Sequence, residues 1–298
     1  MDSLLYNYLL FWICILGACL GSFYNVVIIR SLSGESIVLP ASKCPICGQK
    51  LKYWHNIPIL SYLFLQGKCA FCKEKISIQY PIIEALTMGL FAFSFIKFGQ
   101  SWATIFAMIL SSCLLIMSTT DIKEKLVDCN IAIGLAVCGI TYNWLINHTV
   151  LDSIYGILLG ILTMEILARL GYLFKKGRAF GEADTYIAGA LGACFGLSGI
   201  THILIYTLIT SALFIIPIFL YQQIKNNNKS LSIFFILFII SVLVHKTICQ
   251  SWYSFIAIIC LGCILIYKIL GNLKNDSEPL YFPLVPAFSI ATLYFLFF

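Results

Sequence analysis

Six side chains in this sequence have the types and spacing to do chemistry: four cysteines in one polar segment and two aspartates at the edges of apolar ones. The cysteines stand as Cys44-Pro-Ile-Cys47 and Cys69-Ala-Phe-Cys72, two Cys-x-x-Cys knuckles separated by twenty-one residues. Each knuckle lets two sulfurs meet one ion while the backbone turns between them, so the set suits tetrahedral thiolate coordination of zinc. Such a closed site organises a loop and performs no hydrolysis itself. Gly48 follows the first knuckle and Lys73 the second, positions that suit a tight turn and local charge balance. The alternatives are a redox or disulfide role, which needs an oxidising compartment, and four unligated thiols brought together by chance. The remaining cysteines of the thirteen lie in or beside apolar stretches, where Cys behaves as a small hydrophobe.

Only thirteen acidic residues are present, so each can be weighed. Asp121 ends an apolar stretch in Thr119-Thr120-Asp121, and Asp184 begins one in Gly181-Glu182-Ala183-Asp184. Two carboxylates sharing a water can hydrolyse a peptide bond: one activates the water, the other protonates or polarises the carbonyl. If both stretches are helices, Asp121 sits at a C-terminal end, where the dipole disfavours negative charge, and Asp184 at an N-terminal end, where it is favoured. That difference makes Asp184 the ionised base and Asp121 its protonated partner. The plainer reading is two helix caps at an interface, and spacing alone leaves both open. Glu84 and Glu165 lie inside apolar stretches, where ionisable groups are functional candidates. Arg169, four residues after Glu165, gives that glutamate an intrahelical ion pair instead.

The elements that must position these groups are membrane spans. Apolar residues make up 60% of the chain and charged residues 11%, against about 25% charged in a soluble protein. That excludes a soluble globule, a disordered chain, a fibre and a secreted disulfide scaffold. The net charge of +6 comes without a basic cluster interleaved with aromatics, so no nucleic-acid partner is expected. The expected fold is an all-α polytopic membrane protein with eight to ten transmembrane helices and a cytoplasmic zinc-ribbon-like loop. Spans are expected near 4–29, 81–98, 102–120, 129–147, 151–173, 183–199, 200–222, 231–247, 252–271 and 280–297. The first reads as a retained helix and not a cleaved signal. With the N-terminus outside, only Lys97 and Lys246 of the nineteen basic residues fall outside, as the positive-inside rule asks. Residues 31–80 are then cytoplasmic, too long for an idle connector, and in a reducing compartment that favours metal over disulfide.

The whole pattern resembles the bacterial type IV prepilin peptidases, the bifunctional leader peptidase and N-methyltransferase family. The resemblance begins at Gly21-Ser22-Phe23-Tyr24-Asn25-Val26-Val27 and Arg30, and passes through both knuckles, Asn56-Ile57-Pro58 and Ser61-Tyr62-Leu63. Gly67-Lys68, Ile76-Ser77, Tyr80-Pro81 and Glu84 complete the ordered set, and coverage runs from about residue 4 to 222. Asp121 matches the family's first catalytic aspartate and Asp184 the aspartate of its Gly-x-Gly-Asp motif, with Gly181 and Ala183 as motif support. Ala183 stands where the second glycine is usual, so the loop must adopt ordinary dihedrals or store strain. Tyr186 replaces a usual lysine, Asp128-Cys129 a usual Pro-Asp or Pro-Asn, and Phe282-Pro-Leu-Val-Pro286-Ala matches the family's Pro-Phe-Gly-Pro segment only loosely.

The resemblance implies a bacterial inner-membrane aspartyl endopeptidase that removes the leader of type IV prepilins or pseudopilins at the cytoplasmic face. It also implies N-methylation of the new N-terminus from S-adenosylmethionine, with Gly67 and Glu84 associated with that step, and a place beside pilus or type II secretion machinery. Residues 1–30 would be the first transmembrane helix, 31–80 the four-cysteine loop associated with methyl transfer, 81–222 the peptidase core and 223–298 C-terminal helices. A non-catalytic zinc-ribbon scaffold of such an assembly is the rival reading. A coupled transporter would want midplane carboxylates and internal repeats, and neither is evident.

Overall fold

The computed structural model describes residues 3–33, 36, 38, 42–174, 181–225 and 283–298. The spans expected at 231–247 and 252–271 lie outside the described residues. Helix α1 covers Ser3–Ser33, followed by a 3-10 turn at Tyr53–Asn56 and the short α2, Leu60–Phe64. Then come α3 (Gln79–Phe98), α4 (Trp102–Glu124), α5 (Cys129–Tyr142) with a π-turn at Asn143–Asn147, α6 (Val150–Phe174), α7 (Glu182–Lys225) and α8 (Val285–Phe297). Among the described residues there is no named strand, and six helices (α1, α3, α4, α5 together with its π-turn, α6 and α7) are long and apolar enough to cross a membrane. The chain is a multi-pass membrane protein.

Two compact units divide it. One comprises Met1–Met164, Glu182–Thr207 and Pro283–Phe298; the other comprises Glu165–Gly181 and Leu208–Phe282. Both aspartates and all four knuckle cysteines belong to the first. In the second, Arg169 Nε donates to Glu165 Oε1 at 2.8 Å, the intrahelical pair that their spacing anticipates.

Apolar side chains give helices no reason to associate in lipid, so close backbone contact between small residues does that work. Gly17 and Gly21, one turn apart on α1, lie flat on α3: a Cβ at Gly21 would sit 2.7 Å from the Glu84 Cα, and one at Gly17 2.9 Å from that of Met88. Gly156 and Gly160 of α6 meet the backbone of Gly192 and Ala188 in α7 in the same way. Helix α4 lies deep in the bundle, with Ala107, Leu110, Leu114 and Met117 wholly enclosed. Helix α8 packs on α4, where the Ser118 and Ser289 hydroxyls are 2.6 Å apart. Its last turn is held by Lys97, whose ammonium donates to the Phe297 carbonyl.

Two expected boundaries shift for identifiable reasons. The spans expected at 183–199 and 200–222 meet as α7, which breaks at Gly196 (φ 67°, ψ −168°) without an intervening polar loop. The groups freed by the break are satisfied locally: Asp152 accepts the Leu197 N–H at 3.1 Å, and Asn143 donates to the Ala193 and Cys194 carbonyls at 3.0 and 3.1 Å. At the C-terminus, the helix expected over 280–297 starts only at Val285, because Pro286 suits a first turn that needs no donor. Thirteen residues are short of a membrane span.

Candidate active site and thiolate cluster

Asp121 occupies the last turn of α4. The helix ends on Lys125 in a left-handed cap (φ 56°) whose N–H bonds the Asp121 carbonyl at 3.0 Å. The carboxylate is buried, and its Oδ2 accepts the Val285 N–H at 3.2 Å. That donor is the first residue of α8, so the Asp121 carboxylate faces the positive end of a second helix dipole as well as the negative end of its own. The segment that matches the family pattern only loosely, around Pro286, therefore supplies a partner of the first aspartate. Its sequence signal was present, since prolines at 283 and 286 mark a helix start, but nothing in the sequence pairs that start with residue 121.

Asp184 lies in the first turn of α7 beside Glu182, with Gly181 just before the helix. Both acidic groups sit where exposed helix N–H groups favour negative charge. Ala183 is helical, not at positive φ, so an alanine costs no backbone strain there. Asp128 caps α5 by accepting the Asn130 N–H at 2.9 Å.

The four cysteines come together. Their sulfurs all lie within 4.8 Å of one another, a set that could hold a metal ion. The Cys44 and Cys72 sulfurs are 3.9 Å apart, close to the edge of about 3.8 Å for a tetrahedron with metal–sulfur bonds of about 2.3 Å. Both knuckles are built alike. Cys44 N–H bonds Gln49 O at 3.0 Å and Gly48 N–H bonds Cys44 O at 2.9 Å; Cys69 N–H bonds Glu74 O at 2.8 Å and Lys73 N–H bonds Cys69 O at 3.1 Å. Isolated antiparallel bridges, Lys43 with Lys50 and Lys68 with Lys75, close each turn. Gly48 (φ 69°) and Lys73 (φ 60°) occupy the same left-handed position, free for the glycine and strained for the lysine. Backbone N–H groups of Cys72 and Phe71 bring the Cys69 thiol down to about 7. The Glu74 N–H favours the Cys72 thiolate, but desolvation and the neighbouring cysteines outweigh it and push that thiol up to about 11.

Glu84 and Gly67, paired in the sequence only by resemblance, hold the two ends of one segment. Glu84 is buried in the second turn of α3, hydrogen-bonded by Ser22, and its Oε2 accepts the Ile59 N–H at 2.7 Å. Ile59 (φ 60°, ψ −53°) is the centre of a γ-turn closed by Leu60 N–H on Pro58 O at 2.5 Å, a strained conformation for a β-branched residue. Gly67 (φ 67°) lies under Tyr62, where a Cβ would come within 2.9 Å of the hydroxyl. Asn25, wholly buried on α1, donates to the Tyr80 carbonyl at 3.2 Å and fastens α1 to the start of α3.

Comparison with known proteins agrees with this layout. Residues 15–98 match the Bacterial Peptidase A24 N-terminal domain, and residues 108–216 match the Type IV leader peptidase family. The chain is similar to the prepilin leader peptidase/N-methyltransferase of Myxococcus xanthus, at 32% identity over 64% of this chain and 58% of the relative. It thus spans little more than half the length of that relative. It is 32% identical to the Neisseria gonorrhoeae protein of the same name, over 62% of this chain and 74% of the relative. The Escherichia coli type 4 prepilin-like proteins leader peptide-processing enzyme is 30% identical, over 65% and 82%. No solved structure matches. With two family domains in order and relatives matched over most of their length, the chain belongs to the type IV leader peptidase family.

Proposed function

We propose that this protein is a membrane-embedded aspartyl endopeptidase that cleaves the leader from type IV prepilins or pseudopilins, then methylates the new N-terminus. The observation that carries the peptidase reading is the Asp121 carboxylate, buried at a span end and fixed by a donor from another helix. An ionisable group is costly in such a place and is retained for chemistry by default. Counting one crossing per span, the end of α4 and the start of α7 fall on the same side of the bilayer, so Asp121 and Asp184 can meet across a water. One carboxylate takes the proton of the water as its oxygen attacks the scissile carbonyl; the other polarises that carbonyl and later protonates the leaving amine. Because Asp121 also faces the α8 N-terminus, the helix-end argument no longer separates the two roles, and the proton is best assigned to the dyad. The 81–222 core carries this step.

The four-cysteine cluster holds zinc, which fixes the 31–80 loop without entering the hydrolysis. Methyl transfer from S-adenosylmethionine rests on the names of the relatives, with Gly67 and Glu84 shaping the loop that serves it. The protein lies in the bacterial inner membrane with its N-terminus outside and both sites facing the cytoplasm, beside pilus or type II secretion components. The test is to incubate the purified, reconstituted protein with a prepilin and S-adenosylmethionine and to weigh the products. Loss of the leader mass, then gain of a methyl mass, is expected; an uncleaved prepilin overturns the reading and favours a scaffold. Single cysteines at Ser36 and Asn147, probed with an impermeant label, test the orientation: position 147 should label from outside and position 36 should not.

A further inference from the structure

We propose that residues 53–64 form an anchor lying in the anionic lipid leaflet beside the thiolate cluster. Depth is the first argument. Glu84 stands five residues into α3, about 7–8 Å along the axis from Gln79 at about 1.5 Å per residue. Its hydrogen bond to the Ile59 N–H ties the start of α2 to that level, inside a membrane span and not out in an aqueous loop. The γ-turn at Ile59 and the left-handed Gly67 fix both ends, so the face that α2 presents is preset.

That face is apolar and uncovered by protein: Leu63 is 64% and Phe64 83% exposed, with Leu60 and Ile57 exposed beside them. Tyr53, at 94%, and Trp54 stand next to it, the residue types that settle at headgroup level. The Lys52 ammonium lies 5.3 Å from the Trp54 ring centre. Charge names the lipid. Between residues 42 and 78 the lysines at 43, 50, 52, 68, 73 and 75 are all exposed, and Glu74 is the only acidic residue. Aromatic and aliphatic groups at interfacial depth under a ring of lysines fit an anionic leaflet. An acidic soluble protein would satisfy the lysines but could not reach the face at the depth Glu84 sets.

The intact protein, reconstituted into vesicles whose acyl chains carry bromine near the headgroup, tests this through Trp54 emission, read as wild type minus Trp54→Phe. Quenching of about twofold or more is expected, and brominated phosphatidylglycerol should quench more than brominated phosphatidylcholine at equal fraction. Leu63→Asp with Phe64→Asp should remove most of it, and the gentler Phe64→Ser should lower it, in protein that elutes as the wild type does. Emission indifferent to bromine overturns the anchor, equal quenching by the two lipids overturns its anionic preference, and quenching unchanged in both variants overturns the role of α2. Neither cleavage nor methyl transfer enters the measurement, so its outcome is independent of the peptidase reading.

Discussion

Replacing Asp121 by Asn and by Ala separates its chemistry from its structural duty. Asp121 is 3% exposed, and its carboxylate accepts the Val285 N–H at 3.2 Å. Asp121→Asn removes the ionisable group but keeps an acceptor oxygen, so α8 retains its partner. Asp121→Ala orphans a buried N–H, which costs about 1–3 kcal/mol, and the loss is local to the first turn of α8. Hydrogen exchange in reconstituted protein should therefore show amides at the start of α8 (residues 285 and 287–289) exchanging about ten- to a hundredfold faster in Asp121→Ala than in Asp121→Asn. Prepilin cleavage should be absent in both, with expression unchanged in the Asn variant. Robust cleavage by Asp121→Asn would refute the aspartyl mechanism outright. Equal exchange in the two variants would refute the argument that Asp121 holds α8 in place.

Asp184→Asn should likewise abolish cleavage, whereas Asp128→Asn should be mild, because asparagine caps α5 as well as aspartate does; loss of activity in the latter would give Asp128 a chemical role. Elemental analysis of protein purified without chelator should find one zinc per chain, and Cys44→Ser should lower it and impair methyl transfer more than cleavage; metal-free active protein counts against the site. Lys73→Gly should raise the thermal stability of the 42–78 loop by about 1 kcal/mol, since glycine takes φ 60° without strain; a destabilised variant would mean that the lysine side chain contributes more than its backbone costs. Gly156→Ala should destabilise the packing of α6 on α7, because a methyl there overlaps the Gly192 backbone; unchanged thermal unfolding would rule out that close approach.

Composition and spacing determined the class of this protein. An 11% charged chain has no surface for water, so most of its long apolar stretches had to be spans, and the ends of those at Gln79–Phe98, Cys129–Asn147 and Val150–Arg169 were readable because charge stops at the hydrocarbon edge. Two knuckles with one spacing likewise declared a cluster, because the turn that points two sulfurs at one ion is local to each knuckle. Glu165 with Arg169 was legible for the same reason: four residues make one helical turn.

Tertiary structure alone decided which distant groups meet. Val285 is 164 residues from Asp121, and no periodicity links them; their bond exists because α8 packs on α4. Gly17, Gly21, Gly156 and Gly160 stand at the four-residue spacing of small-residue contacts, yet which helix each would face depended on how the spans arranged themselves. The break at Gly196 was hidden for a related reason. A glycine inside an apolar run is helical or bent according to its neighbours, and here Asp152 and Asn143, from elsewhere in the chain, stabilise the groups that the bend sets free. Local physics writes the spans and the knuckles; the carboxylate's surroundings, and the depth at which Glu84 fixes the thiolate loop, come from packing between segments far apart in sequence.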